Sequence, residues 1–148
     1  MAATKRNMNV RASQFAITGG ATISLTGVTN FGYDYGGSTQ DFSGDADRYP
    51  TTIVNDMNMP SVSVTTADLA AANSLPPGTR GTYSCTVKDA KNPSASALSG
   101  DIAVTLSNAI VSTNSASAAH RSFSSANISI KAESTDGTTN PLAFSVTA

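Results

Sequence analysis

The chain has 148 residues, of which 13% are charged, with a net charge of −1 and no Trp. This length suits a single domain with one core. The charge balance argues against the basic footprint of a nucleic-acid-binding protein and against a strongly acidic surface. Proteins with so little charge tend to associate.

The N-terminal segment is basic but lacks the features of a targeting signal. Its charged residues are Lys5, Arg6 and Arg11, and no apolar stretch of signal-peptide length follows them. No run in the chain approaches the roughly 18 apolar residues that span a bilayer as a helix. We therefore interpret residues 1–20 as an N-terminal arm, residues 21–148 as a single β domain, and the protein as one without a membrane span.

Alternating apolar and polar residues begin directly after this arm. Ile23 and Leu25 share one face, and the phase then shifts near Gly27, which predicts a bulge there. A long insert follows at about residues 33–60, rich in Asp, Gly and Pro. Residues 51–54 are predicted to form one arm of a hairpin within it.

One short helix is predicted near the middle of the chain. A Thr at 65 or 66 is the N-cap candidate, and Asp68 would lie in the first turn, before Leu69 and three alanines. The Pro-Pro-Gly sequence at 76–78 must end the helix, because proline cannot donate the backbone hydrogen bond. We expect two to three turns that cover a sheet face with Leu69 and Leu75.

The rest of the chain is predicted to be strand. Residues 100 to about 114 form one long strand signal, and the Asp-Gly and Asn-Pro pairs at 136–137 and 140–141 predict a turn before the last strand. Long strands suit large sheets or barrels. The apolar positions in phase are Tyr83, Cys85 and Val87; Ile102, Val104, Leu106 and Ile110; Ile128 and Ile130; and Leu142, Phe144 and Val146.

Few residues suggest catalysis or a cofactor. Cys85 is the only cysteine, so no intrachain disulfide can form, and its phase predicts a buried, inert thiol. His120 is the only histidine, and no partner follows it at metal-ligand or triad spacing. A hydrolase using His120 with a distant serine is one reading, but we expect no enzyme activity and no cofactor.

The acidic residues of the insert raise the question of calcium. Asp41, Asp45, Asp47 and Asp56 supply oxygen ligands, but counting Asp45 as the first position puts a proline where a helix-loop-helix site requires glycine. We interpret the insert instead as a solvated or partner-facing acidic loop.

Several local phrases resemble the tail-tube proteins of long-tailed bacteriophages. In the first half they are Gly-Val-Thr at 27–29, Tyr-Asp-Tyr-Gly-Gly at 33–37, Phe-Ser-Gly-Asp-Ala-Asp-Arg-Tyr-Pro at 42–50 and Pro-Ser-Val-Ser-Val-Thr-Thr-Ala-Asp at 60–68. In the second half they are Lys-Asp-Ala at 88–90 and Ser-Thr-Asp-Gly-Thr-Thr-Asn-Pro-Leu at 134–142. The similarity covers about residues 20–147 and lies in element order and local phrases.

This resemblance implies two packed antiparallel sheets, like a sandwich or barrel, with one short flanking helix, a fold shared with the type VI secretion tube. Subunits of that family form hexameric rings that stack into a hollow tube, and each contributes strands to a large closed barrel around the channel. The long loop and the termini contact neighbouring subunits. By position, the subunit and ring contacts would include Tyr33, Tyr35, Phe42, Asp45, Asp47, Arg48 and Tyr49 of the insert, and Lys5, Arg6 and Arg11 of the arm.

The resemblance also implies a location and partners. The protein would be made in the host cytoplasm and reside in the virion tail, beside the tape measure, terminator and baseplate components. DNA would pass through the channel as non-specific cargo. Small residues on one strand face are channel-lining candidates, although the sequence does not fix which face lines the channel: Thr82, Ser84, Thr86, Ala103, Thr105 and Ser107.

A second reading is a monomeric β-sandwich that binds a carbohydrate or receptor, as in a decoration or adhesin domain. Tyr33, Tyr35, Phe42 and Tyr49 lie near Asp residues, and aromatic faces with carboxylates suit ligands rich in hydroxyl groups. Tyrosine is also enriched at protein interfaces, so the same residues fit subunit contacts.

Overall fold

A computed structural model of the chain describes residues 8–89 and 101–146. Within these residues the fold is mainly β, which confirms the prediction from alternation. The strands are β1 (Met8–Ile17), β2 (Thr22–Ser24), β3 (Val28–Asp34), β4 (Gly37–Phe42), β5 (Thr52–Asn58), β6 (Ser61–Thr66), β7 (Arg80–Asp89), β8 (Ile102–Ser117), β9 (Ser125–Ala132) and β10 (Leu142–Val146), and the helix is α1 (Leu69–Asn73).

The strands form one large antiparallel sheet and one separate hairpin. The large sheet has the order β2-β1-β7-β8-β9-β6-β3, with β10 also paired to β8, and β4 pairs only with β5. Strand β8 is 16 residues long and joins the two halves of the large sheet. Its first part lies between β7 and β10, and its second part pairs with β9.

The two halves of this sheet fold over one core, so the architecture is sandwich-like. Phe31 of β3 stacks on Tyr83 of β7 with ring centroids 6.2 Å apart. The Tyr83 hydroxyl lies 2.8 Å from that of buried Ser13, and Leu25 N donates to Ser13 O. The core consists of Phe15, Leu25, Val62, Val64, Ala72, Leu75, Tyr83, Cys85, Val104, Leu106, Ala109, Val111, Ala126, Ile128, Ile130 and Leu142.

Strand β1 lies within the segment that we interpreted as an N-terminal arm. It pairs with β7 over most of its length, and Phe15 is completely buried in the core. The described part of that segment is therefore integral to the sheet. Lys5 and Arg6 lie outside the described residues.

The helix is shorter than predicted, and its cap is a different residue. Asp68 is the N-cap, and its carboxylate accepts a hydrogen bond from Ala71 N, which lowers the Asp68 pKa. Thr66 instead ends β6, where its hydroxyl donates to Thr26 O and accepts from Asp68 N. The predicted Thr cap was wrong because this hydroxyl bonds to the connection between β2 and β3 at Thr26. Leu75 is completely buried, as expected.

Two irregularities set which side chains face the core. Gly27 has φ +62°, and the register of β3 shifts directly after it, which confirms a bulge near this point. Asn108 has φ +49° within β8, and the buried positions after it are Ala109 and Val111. The predicted phase of Ile110 was therefore wrong, because the chain changes face at Asn108.

Candidate functional site

The β4–β5 hairpin is a surface feature that the described part of the subunit leaves uncovered. Every residue of both strands is exposed, although the hairpin carries large apolar side chains. A two-stranded hairpin is marginally stable in water unless it packs against something else. The pairing confirms the predicted hairpin arm at 51–54. Its exposed apolar side chains, with those of the connecting loop, are Phe42, Tyr49, Ile53, Val54 and Met57.

The loop at the end of the hairpin is closed by short-range hydrogen bonds. The Asp47 carboxylate accepts from Gly44 N at 2.8 Å, and Thr51 N donates to Phe42 O at 2.8 Å. Asp45, Arg48 and Tyr49 are exposed on this loop. Within the described residues, no group of three or more acidic, His or Cys side chains is arranged to hold a metal ion.

The base of the hairpin has a fixed geometry. Gly36 has φ +63°, and a Cβ at this position would overlap the Met59 carbonyl group. Gly36 N also donates to the Asp34 carboxylate at 2.7 Å, and Met59 N donates to Gly36 O. Glycine is required here, so the sequence sets the direction in which the hairpin leaves the large sheet.

Of the four insert aromatics, only Tyr33 and Tyr35 contact each other. Tyr33 and Tyr35 lie at the hairpin base with Phe144 of β10, and the Tyr33 and Phe144 ring centroids are 4.7 Å apart. Phe42 and Tyr49 lie at the far end, about 16 Å away along the five residue steps of β4. The structure therefore brings only the first pair together, and it adds Phe144 to them.

A cleft of about 320 Å³ lies beside this aromatic group. It separates the hairpin base from the loop that precedes β10. Its polar lining includes Asn55, Asp56 and Asn140, and Tyr35 supplies an aromatic wall. The arrangement could accept a small polar ligand.

Asp136 organises the loop on the other side of this cleft. Its carboxylate accepts hydrogen bonds from the backbone N of Thr138 and Thr139 and from the hydroxyls of Thr139 and Ser134. These bonds, led by the Thr139 hydroxyl, hold the Asp136 pKa well below its usual value of 3.8. The predicted turn at 136–137 is thereby confirmed.

We expect Asp136→Asn to lower the midpoint of thermal unfolding at pH 7. A depressed carboxyl pKa stabilises the folded state above the unfolded-state pKa, and this contribution is lost as pH falls through the folded-state pKa. The difference between the wild type and the variant should therefore narrow below about pH 4. Melting curves at pH 7, 4, 3 and 2 measure it, and a constant difference at all four values would contradict this role.

A second surface is a face of small, mostly uncharged residues on the β1-β7-β8-β10 half of the sheet, which we call the smooth face. The opposite side of the same strands packs on the core. Because side chains alternate along a strand, this half of the sheet has one core-facing side and one solvent-facing side. Ser84 lies opposite both Gln14 and Thr105, and Ala143 lies opposite Thr105. The smooth face comprises Gln14, Ala16, Thr82, Ser84, Thr86, Ala103, Thr105, Ala143 and Ser145.

Other candidate residues lie apart from both surfaces or at their margins. Arg11 lies opposite Thr86, at one margin of the smooth face. Cys85 is buried, and desolvation raises the pKa of its thiol, which disfavours a nucleophilic thiolate. His120 is exposed in the turn between β8 and β9. No helix in the described residues is long and apolar enough to cross a membrane.

Two features were missed by sequence reasoning. Phe123 is 98% exposed in the turn between β8 and β9, and its position among serines gave no periodic signal. Lys88 and Asp101 are buried with Nζ and Oδ2 3.9 Å apart. They lie 13 positions apart in the sequence, and their pairing depends on the adjacent ends of β7 and β8.

Comparisons with protein-family models and with curated proteins find no match to this chain. The similarity to tail-tube proteins therefore rests on the order of elements and the short sequence segments given above.

Proposed function

We propose that the chain is a structural subunit that assembles with copies of itself into stacked rings, which form a tube for the passage of DNA. The observation that carries this proposal is the β4–β5 hairpin, whose apolar side chains are exposed on both strands. The resemblance to phage tail-tube proteins supplies the hexameric ring, the location in the virion tail and the other tail proteins as partners. The proposed role is passive and requires no catalytic residue.

The hairpin supports self-association through its composition. Phe42, Tyr49 and Ile53 are each more than 60% exposed. Aromatic side chains are enriched in the buried centre of protein interfaces, where burying apolar surface contributes roughly 25 cal/mol per Å². A neighbouring copy that covers the hairpin would remove this surface from water and hold the hairpin in one conformation.

The open edges of the large sheet also support self-association. Among the described strands, β2 and β3 end the sheet, and β10 pairs on one side only. Exposed strand edges favour aggregation, and closure into a barrel removes them. Pairing between neighbouring subunits in a ring would satisfy these backbone groups.

The smooth face suits the wall of a DNA channel. Phosphate groups bind proteins mainly through Lys and Arg, and each such contact makes binding tighter and more dependent on salt. Hydroxyl and methyl groups such as those of Thr105 and Ala143 offer no such contact, so DNA would slide past them. Arg11 lies at one margin of this face, and Lys88, two residues beyond Thr86 on β7, is buried beside Asp101.

A nuclease-protection experiment tests this placement. Assemblies of Thr105→Lys should retain short double-stranded DNA at low salt, and the retained DNA should resist nuclease because it lies inside the tube. Ser115→Lys, which adds the same charge outside the smooth face, is the control. Complete digestion of the DNA retained by Thr105→Lys would contradict the placement of this face in the channel.

The cleft beside Tyr35 favours a second candidate function, a module that binds a carbohydrate. Tyr35 supplies an aromatic wall, and Asn55, Asp56 and Asn140 supply polar groups. A glycan array distinguishes the two functions. Binding that is lost in Tyr35→Ser, from a protein that stays monomeric, would favour the module over the tube subunit.

A further inference from the structure

The turn between β8 and β9 presents an aromatic side chain that the subunit does not cover. We call residues 118–124 the tip turn. Phe123 is 98% exposed, the highest value among the large apolar residues of the described chain. Ser122 N donates to Ala119 O at 3.2 Å, which closes the turn. Arg121 has φ +59°, an unfavourable conformation for a residue other than glycine. Backbone strain of this kind is often retained at functional sites.

The tip turn is also cationic. It contains Arg121 and His120 and no acidic residue. The ion pairs found among the described residues are Arg80 with Glu133 and Lys88 with Asp101, so Arg121 forms none with that part of the chain. The turn therefore presents one exposed cation beside one exposed aromatic ring.

The hairpin presents the complementary chemistry. Its strands and loop, residues 37–58, carry Asp41, Asp45, Asp47 and Asp56 against a single Arg48, so its formal charge is negative. Phe42 and Tyr49 are exposed beside these carboxylates. Pairing two hairpins with each other would bring like charges together, whereas pairing a hairpin with a tip turn brings opposite charges together.

The two surfaces lie at opposite ends of the same strands. Next to the tip turn, Ala126 of β9 pairs with Thr66 of β6. At the other end of β6, Ser61 pairs with Lys131 and Asp34, directly before the hairpin leaves the sheet. The five residue steps of β6 separate these ends by about 16 Å. Their placement suits contact between two copies.

We propose that the tip turn of one copy docks on the β4–β5 hairpin of the next copy, head to tail. Phe123 packs against Phe42 and Tyr49, and Arg121 pairs with Asp45 or Asp47. Such a heterologous contact forms a ring when its rotation closes and an open helical stack when it does not. This inference rests on the proposed self-assembly and specifies which two surfaces of the chain meet.

Mixing two defective variants tests the contact. The tip variant is Arg121→Ser with Phe123→Ser, and the hairpin variant is Phe42→Ser with Tyr49→Ser and Ile53→Ser. Each should fail to assemble alone, with association weakened about 30-fold or more by loss of an aromatic anchor. Their mixture should form a 1:1 dimer, because one copy retains a hairpin and the other a tip turn. Light scattering after size-exclusion chromatography measures the masses.

A charge exchange provides the second test and preserves the apolar contact. Arg121→Glu alone and Asp45→Lys alone should each weaken association roughly threefold to tenfold at low salt. The chain carrying both changes should recover it. Asp47 is left unchanged because its carboxylate closes the hairpin loop. All these side chains are exposed, so each variant is expected to fold, and circular dichroism checks this.

The outcomes separate this inference from the proposed function. If the wild type assembles and the tip variant assembles equally well, the tip contact alone is overturned. The same holds if both variants are defective but their mixture forms no dimer. If the wild type, each of the two variants and the mixture of the variants all stay monomeric, both self-assembly and the tip contact are overturned.

Discussion

Replacing Phe42, Tyr49 and Ile53 with Ser is expected to abolish self-association and to leave the subunit folded. These three side chains are exposed on the β4–β5 hairpin and its loop, which form a sheet separate from the core. Truncating an aromatic anchor at the centre of an interface commonly costs about 2 kcal/mol or more, so the triple change should weaken association at least about 30-fold. Light scattering across a concentration series measures the loss.

The control for this prediction is Gln40→Ala with Thr52→Ala, which alters exposed polar residues of the same hairpin. Its association should match that of the wild type. Thermal unfolding of both variants should stay close to the wild type, because none of the changed residues contributes to the core cluster. Unchanged assembly of the triple variant would rule out the hairpin as the association surface.

The second large effect is expected from Phe15→Ala. Phe15 is fully buried against the core, and removing a buried Phe side chain typically costs about 3–5 kcal/mol through lost transfer free energy and the cavity left behind. The neighbouring Gln14→Ala, on the exposed face of β1, should change stability by less than about 0.5 kcal/mol. Urea unfolding of the isolated subunit measures both.

This comparison also tests how β1 relates to the predicted N-terminal arm. If β1 pairs with β7 in the free subunit, Phe15→Ala destabilises the monomer. If the segment instead docks only on assembly, the variant monomer would unfold at the same urea concentration as the wild type, and the defect would appear only in the assembled form.

Much of the strand pattern was predictable from local sequence, because half-buried strands alternate with period 2. Prediction failed where a backbone irregularity or a competing contact altered that pattern. The positive φ of Asn108 exchanged the faces of β8, and the Thr66 hydroxyl bonded to Thr26 O instead of capping the helix. Asn adopts a positive φ more readily than most residues other than glycine, but the residue type alone does not predict where a strand changes face.

The candidate surfaces were only partly predictable. The insert and its hairpin follow from Gly, Pro and Asp content, and Gly36 sets the hairpin direction. The grouping of Tyr33 and Tyr35 with Phe144 depends on β10 reaching the hairpin base, a contact across more than 100 residues. The opposite placement of the tip turn and hairpin likewise depends on strand registers that no local pattern gives.

The central claim, that the chain builds rings through its exposed hairpin, is tested most directly by negative-stain electron microscopy of the purified protein at increasing concentration. We expect rings or stacked rings with a central channel from the wild type, and only single subunits from the Phe42, Tyr49 and Ile53 triple variant. Single subunits from the wild type at every concentration, or channel-forming rings from the triple variant, would contradict the claim.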